Sequence, residues 1–178
     1  PLPIRDATRG DARALAQIAE QTFRETFAAL NRAEDMDLHC RRSYGESLQA
    51  TEISDPGRNT LLVEHEDRLI GYAQLRWGAA PACVVAQRPC EILRPCEIQR
   101  LYVVADWHGH GVAQELMAAC IAEARRRRSD AIWLGVWERN PRAIAFYRRC
   151  GFVEVGDHVF PLGDDPQRDL VMVLSLVH

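Results

Sequence analysis

Lysine is absent from the 178-residue sequence, whose 22 basic residues are all arginine. That absence removes a Schiff-base lysine, a P-loop lysine and a Ser–Lys dyad at once. A basic excess is missing too: 25 acidic residues against 22 basic ones leave a net charge of −3. A broad nucleic-acid or anionic-membrane footprint needs the opposite balance, so neither partner is expected. No apolar run approaches the roughly 18 residues that span a bilayer. The opening segment PLPIRDATRGD has no signal-peptide apolar core. Six cysteines are too few for a disulfide scaffold, so reduced thiols and a cytoplasmic location are expected. Cys83, Cys90 and Cys96 with His65 or His110 do not follow zinc spacing, and no metal is expected.

What is present fits a globular α/β chain, with 47% hydrophobic and 26% charged residues. At roughly 150 residues per domain, a single domain over residues 1–178 is expected. Ile4 to Ala7 reads as a strand, and Asp11 as the cap of a helix running to Phe27. A polar, acidic helix is predicted over about Glu34 to Ile53, stopped by Asp55-Pro56-Gly57. Thr60 to Glu64 and Leu69 to Trp77 form a hairpin around the charged turn His65-Glu66-Asp67-Arg68. Gly78 to Pro95 reads as an irregular surface insertion, followed by a strand from Glu97 to Val104.

Ala113, Leu116, Met117, Cys120, Ile121 and Ala124 make one helical stripe. Ala131 to Trp137 is nearly all apolar, as a strand covered on both faces should be. Asn140-Pro141 caps a helix that Gly151 ends. Phe152 to Phe160 and Asp169 to Leu176 are closing strands, with a turn over Pro161 to Pro166. Consecutive strands exclude a regular doubly wound sheet.

Chemistry concentrates in two blocks. In the first, Leu101 to Ala113, a strand runs through a glycine loop into a helix. Gly109 and Gly111 allow a tight turn and close backbone approach, and the helix start then offers free N–H groups to an anion. Alone, a glycine pair before a helix is equally a plain turn. A Rossmann reading fails because Gln114 stands where the third glycine belongs. A P-loop fails for want of Gly-Lys-Ser/Thr, and no Gly-x-Ser-x-Gly elbow exists. In the second block, Asn140 to Phe152, each residue has a structural reading: Asn140 caps, Phe146 packs, Gly151 terminates. Those readings do not explain why both blocks occur together.

The pair of blocks resembles the GCN5-related N-acetyltransferases. His108-Gly109-His110-Gly111-Val112-Ala113 matches their acetyl-CoA loop, with histidine where the family has Gln or Arg. Asn140, Ala143, Tyr147, Gly151 and Phe152 match their later motif, and the resemblance runs from about Ile4 to Leu176. It implies the GNAT (acyl-CoA N-acyltransferase) fold, a mixed central sheet with two splayed parallel strands in the middle and helices on both faces. It also implies direct acetyl transfer from acetyl-CoA to a primary amine. The pantetheine arm would lie along the backbone of Leu101, Tyr102 and Val103. The pyrophosphate would meet the N–H groups of His108, Gly109, His110, Gly111, Val112 and Ala113, with Asn140 and Tyr147 completing the site. His108 would offer a titratable donor to the phosphates, unless it is only exposed loop.

Thr22 to Phe27, Ile132 to Glu138 and Gly156 to Asp169 look like the bacterial Pai-type polyamine acetyltransferases, which act on spermidine and spermine. The Gly78 to Pro95 insertion departs from that subgroup.

An alkylammonium near pKa 10.4 is only about one part in a thousand neutral at pH 7.4, a deficit of roughly 4 kcal/mol. A group must take its proton, and another must assist the departing thiolate. Tyr147 is the candidate acid, against a merely packed tyrosine. Glu97 is the candidate base, placed by strand alternation on one face with Gln99, Leu101 and Val103. A solvated carboxylate, a water relay and Glu138 are the alternatives. For a cationic acceptor, Phe23 and Phe27 would line the site and Glu34, with Glu25, Asp35 and Asp37, would supply charge. These carboxylates equally read as a solvated helix face. Rival acceptors are a protein N-terminus or side chain and an amine antibiotic. A non-catalytic acetyl-CoA-binding regulator, and monomer against homodimer, also stay open.

Overall fold

The computed structural model describes residues 2–86 and 94–176. Within them seven strands share one sheet: β1 (Ile4–Asp6), β2 (Arg58–His65), β3 (Arg68–Trp77), β4 (Pro95–Val103), β5 (Ala131–Trp137), β6 (Val153–Leu162) and β7 (Asp165–Ser175). Their order is β1-β2-β3-β4-β5-β7-β6. Every neighbouring pair is antiparallel except β4 and β5 in the middle. The helices are α1 (Ala12–Phe27), α2 (Ala33–Ser43), α3 (Glu46–Ser54), α4 (Ala82–Val85), α5 (Val112–Arg126) and α6 (Pro141–Arg149). The expected mixed sheet with central parallel strands is therefore what forms.

Side-chain alternation sorts the helices onto two faces. Gly71, on β3, faces Val112 and Leu116 of α5, and its pairing to Val103 puts that residue on the same side. Leu116, Met117, Cys120 and Ala124 of α5 are buried there with Ile132, Leu134 and Val136 of β5, each large side chain contributing about 1.5–3 kcal/mol. On the other face Phe27 of α1 meets Trp137 of β5, ring centroids 5.6 Å apart. That face also carries a polar anchor for α3. The Glu52 carboxylate accepts from Arg100 (2.8 Å), Gln74 (3.3 Å) and Arg58 (3.4 Å). A mostly buried guanidinium is costly unless fully paired, so this network fixes where α3 sits.

Three elements differ from the sequence reading. The acidic helix is two helices, because the backbone extends at Tyr44 and Gly45, where the Gly45 N–H is taken by the Gln49 side chain at 2.6 Å. The Gly78 to Pro95 segment is not only surface: Val84 of α4 is buried against Ala131, Trp133, Val171 and Val173. Residues 87–93 of that segment, including Cys90, lie outside the described residues. The last hairpin is tighter than expected, with Pro161 opposite Pro166 and Leu162 opposite Asp165. Gly163 turns there at φ 61°, and a Cβ would lie 2.7 Å from the Asp35 backbone.

The middle of the sheet is where function can enter. β4 and β5 pair only at Pro95–Ala131, Cys96–Ile132 and Glu97–Trp133. Beyond that the strands part. Against β3, Leu75 pairs with Ile98 but Gln74 with Arg100, so Gln99 is an extra residue in β4. Such a bulge bends its strand and sharpens the local twist, at the point where β4 leaves β5.

Candidate active site

The parted strands open a cavity of about 1010 Å³ that reaches both faces of the sheet. On the α5 face it is bounded by Leu101 and Val103, by Gly109, Gly111, Val112 and Ala113, and by Asn140, Ala143 and Tyr147 of α6. On the α1 face it is bounded by Phe23, Phe27, Tyr102, Trp137, His158 and Asp169, among others.

The α5 face offers backbone. Past Glu97 the inner edges of β4 and β5 have no ladder partner in each other, so an extended ligand can take the place of a strand. Gly109 and Gly111 both sit in the left-handed region, φ 81° and 80°, with open space where a Cβ would be. Gly111 is also the N-cap of α5 and brings no side chain to its first amides. Those N–H groups remain available to an anion, reinforced by the helix dipole. At α6 the arrangement differs, because Asn140 Oδ1 accepts from Ala143 N at 3.2 Å. Thus Asn140 caps its helix while facing the cavity.

His108 does not behave as the sequence suggested. Its Nε2 lies 2.7 Å from the Val103 carbonyl and its Nδ1 is 2.9 Å from Arg142 Nη1. The ring therefore donates to one protein group and accepts from another, leaving no spare donor for a phosphate. Arg142, which lines the cavity, could supply the cation instead. Its signal in the sequence is positional: an arginine in the first turn of α6 opposes the helix dipole unless an anion or acceptor compensates. The His110 side chain is exposed, with Nδ1 3.1 Å from the His108 carbonyl, and it does not line the cavity.

Tyr147 is half-buried, its ring packed edge-on to Phe146 (5.4 Å) and Phe152 (5.8 Å). Burial raises its phenol well above the ordinary value, so it stays protonated. A protonated hydroxyl facing a cavity can donate.

Glu97 lines the same cavity, but not where alternation predicted. The extra residue at Gln99 reverses the face of everything after it. Glu97 pairs opposite Arg76, while Leu101 and Val103 pair opposite Ala73 and Gly71, which point the other way. The Glu97 carboxylate is clamped by Arg76, with Nη2 at 2.7 Å and Nε at 3.2 Å. Both carboxylate oxygens of Glu97 are thus engaged by one guanidinium.

Glu34 is a second correction. It is exposed, 3.7 Å from Arg32, and does not line the cavity, because it opens α2 on the outer side. Asp37 pairs with Arg24 at 3.0 Å, and Asp35 accepts from Asp164 N at 3.1 Å. Of these acidic candidates only Glu25 reaches the cavity, accepting from Ala105 N at 3.2 Å. Phe23 and Phe27 do line it, Phe23 stacked on His39 (4.1 Å) and Phe27 tilted against Trp137 (5.6 Å). Burial lowers His39 to about 4, so it is a neutral part of this wall.

His158 and Asp169 went unnoticed in the sequence. They face each other across β6 and β7, His158 Nε2 lying 3.7 Å from Asp169 Oδ2. Burial raises Asp169 to about 6, with the imidazole opposing that shift. Gly135 of β5 makes room: a Cβ there would lie 2.7 Å from His158 Nε2 and 3.1 Å from Asp169 Oδ2.

A model of the acetyltransferase (GNAT) family matches residues 13–152. The chain is 32% identical over 167 residues to a protein of Mycobacterium tuberculosis described as an uncharacterised N-acetyltransferase, covering 94% of this chain and 99% of that one. Among solved structures it is similar to a PaiA N-acetyltransferase from Thermoplasma acidophilum in complex with coenzyme A, with TM-score 0.75, 19% identity, and coverage of 98% and 99%. It is also similar to a ribosomal-protein-alanine N-acetyltransferase from Brucella melitensis, with TM-score 0.69, 27% identity, and coverage of 98% and 100%.

Proposed function

The chain belongs to the acetyltransferase (GNAT) family, and from that premise we propose that its acceptor is a small primary amine, a polyamine such as spermidine or spermine. It is an acetyl-CoA-dependent N-acetyltransferase. The observation that carries the acceptor reading is the two-sided cavity. Its α5 face is made of backbone and glycine, and its α1 face of aromatic rings and carboxylates.

Acetyl-CoA supplies an electrophilic thioester. The edge of β4 at Leu101 and Val103, which has no ladder partner in β5, would hold its extended arm through groups other than the Val103 carbonyl that His108 occupies. The N–H groups of Gly109 to Ala113, with Arg142, would hold the phosphates. Tyr147, kept protonated by burial, would give its proton to the departing sulfur. On the opposite face Phe23, Phe27 and Trp137 offer ring faces to an alkylammonium, and Asp169 and Glu25 offer charge. The transfer is direct, with the amine arriving through the gap between β4 and β5. We also infer a single catalytic domain, a cytoplasmic location, and either a monomer or a homodimer.

A second reading has one specific support. The Brucella relative is named for acetylating an alanine of a ribosomal protein, so a protein N-terminus is the competing acceptor. Purified enzyme with acetyl-CoA should be given spermidine, spermine, monoamines and N-terminal alanine peptides, and free CoA thiol followed. Turnover on polyamines supports the first reading. Turnover on peptides alone overturns it.

A further inference from the structure

An acetyl transfer to an amine needs a proton acceptor, and Glu97 is engaged by Arg76. The α1 face of the cavity holds another carboxylate that is less engaged. Asp169 is only 7% exposed, and His158 Nε2 stands 3.7 Å from its Oδ2, longer than an ordinary hydrogen bond. Both side chains line the cavity. They lie over Gly135, the one exposed position in an otherwise buried β5, on the strand that borders the gap. Any side chain at Gly135 would fill the space they use.

We propose that Asp169 and His158 form the proton-accepting pair of the transfer, with the acceptor's ammonium docking over Gly135. This rests on the reading that the amine enters from the α1 face. The ammonium gives one proton to Asp169 Oδ2, and His158, which is more open to solvent, carries it out. The freed lone pair forms the N–C bond as the C–S bond breaks. The second nitrogen proton released on acylation restores Tyr147 after that residue has protonated sulfur. One proton leaves per turnover, as the overall reaction requires.

The surroundings add few competing titrations. From β4, Tyr102 faces the pair and burial holds it protonated, while Glu97, engaged by Arg76 of β3, lines the same cavity. From β5, Gly135 and Trp133 bring no charge. From α2, His39 lies 5.6 Å from Phe160 and is kept neutral. From α4, Cys83 sits against Gly156, two residues along β6. On the hairpin itself Asp157 pairs with Arg168 at 2.9 Å, and Arg168 also reaches Glu138 at 2.9 Å.

The test compares wild type with Asp169→Asn, His158→Gln and Gly135→Ala, using the best acceptor of the panel above. In wild type, kcat/KM should fall as pH drops through about 6, because the pair must hold its unprotonated form. Asp169→Asn should lose that limb and lower kcat on the order of 100-fold, while acetyl-CoA affinity changes less than about threefold. An unchanged kcat or an unmoved limb in Asp169→Asn overturns the proposal. If Asp169→Asn does not fold, retained wild-type kcat in both His158→Gln and Gly135→Ala overturns it. If wild type turns over no amine, the acceptor reading fails by itself, and NMR still decides the pair. The Asp169 carboxyl carbon signal should titrate near 6 in wild type and higher in His158→Gln, because the imidazole opposes the upward shift. An identical titration in both proteins sinks the pair.

Discussion

The two sides of the cavity are built by different means. The α5 side is made from one continuous stretch, β4 through the glycine loop into α5, helped by the first turns of α6. It works through backbone N–H and carbonyl groups, which any sequence able to adopt that backbone supplies. The α1 side is assembled from α1, α2, β4, β5, β6 and β7, and it works through side chains. On the proposed reading the α5 side holds the same donor in every turnover, so a backbone cradle suffices there. Discrimination among acceptors has to come from the other side. Changes on the α5 side should therefore show in acetyl-CoA affinity, and changes on the α1 side in acceptor kinetics.

The sharpest break is Gly111→Asp. The position has φ 80°, which costs a side-chain-bearing residue about 1–2 kcal/mol, and the new carboxylate would face the phosphates at the start of α5. Acetyl-CoA affinity should fall at least about 100-fold, or roughly 2.7 kcal/mol, by calorimetry on folded protein. Normal affinity would refute the loop as the phosphate site. Next is Tyr147→Phe, which removes the hydroxyl that the proposed mechanism uses to protonate the departing sulfur. Here kcat should drop on the order of 100-fold with acetyl-CoA affinity nearly unchanged. An unaltered kcat takes Tyr147 out of the mechanism. Arg142→Ala should weaken acetyl-CoA about tenfold, less at high salt because part of the interaction is screened. An effect confined to the acceptor's KM would place Arg142 on the wrong side.

The contrast also explains what could be read from the chain itself. Gly109, Gly111, Asn140 and Tyr147 are local features at fixed spacing, so the α5 side is legible in the sequence alone. The α1 side depends on register. One extra residue at Gln99 moves Glu97 to the face opposite Leu101 and Val103, and no propensity rule locates such a bulge. Asp169 and His158 meet only because β6 and β7 pair as they do. A trace was present nonetheless: Gly135 interrupts an otherwise apolar buried strand, which marks a close approach by another group. The break at Gly45 was equally available as a glycine inside a helical pattern.

A smaller effect separates a strained side from a relaxed one. Asp169 is raised from its ordinary value to about 6 by burial. The folded protein therefore binds a proton more tightly there than the unfolded chain does. Below about pH 3.8 both states are protonated and nothing is lost. Between there and about 6 the folded state is progressively penalised, and above about 6 the penalty is complete. Asp169→Asn should then raise Tm by a few degrees at pH 7.5 and change it little near pH 4. A lower Tm at pH 7.5 would mean that the carboxylate stabilises the fold.

The smallest expected effect tests the boundary of the α1 side. Glu34 and Phe27 sit near one another in sequence, yet only Phe27 reaches the cavity. Glu34 has a side chain 76% exposed and an exposed partner in Arg32, a kind of pair worth about 0–1 kcal/mol. Glu34→Ala should leave the KM for spermidine within about twofold. Phe27→Ala removes a ring packed on Trp137 at 5.6 Å and should raise that KM several-fold, since a cation over a ring gains about 0.5–2 kcal/mol. Should the two results be exchanged, charge at the start of α2 steers the acceptor and the aromatic wall does not. The site would then extend beyond the cavity onto the outer surface of the helix.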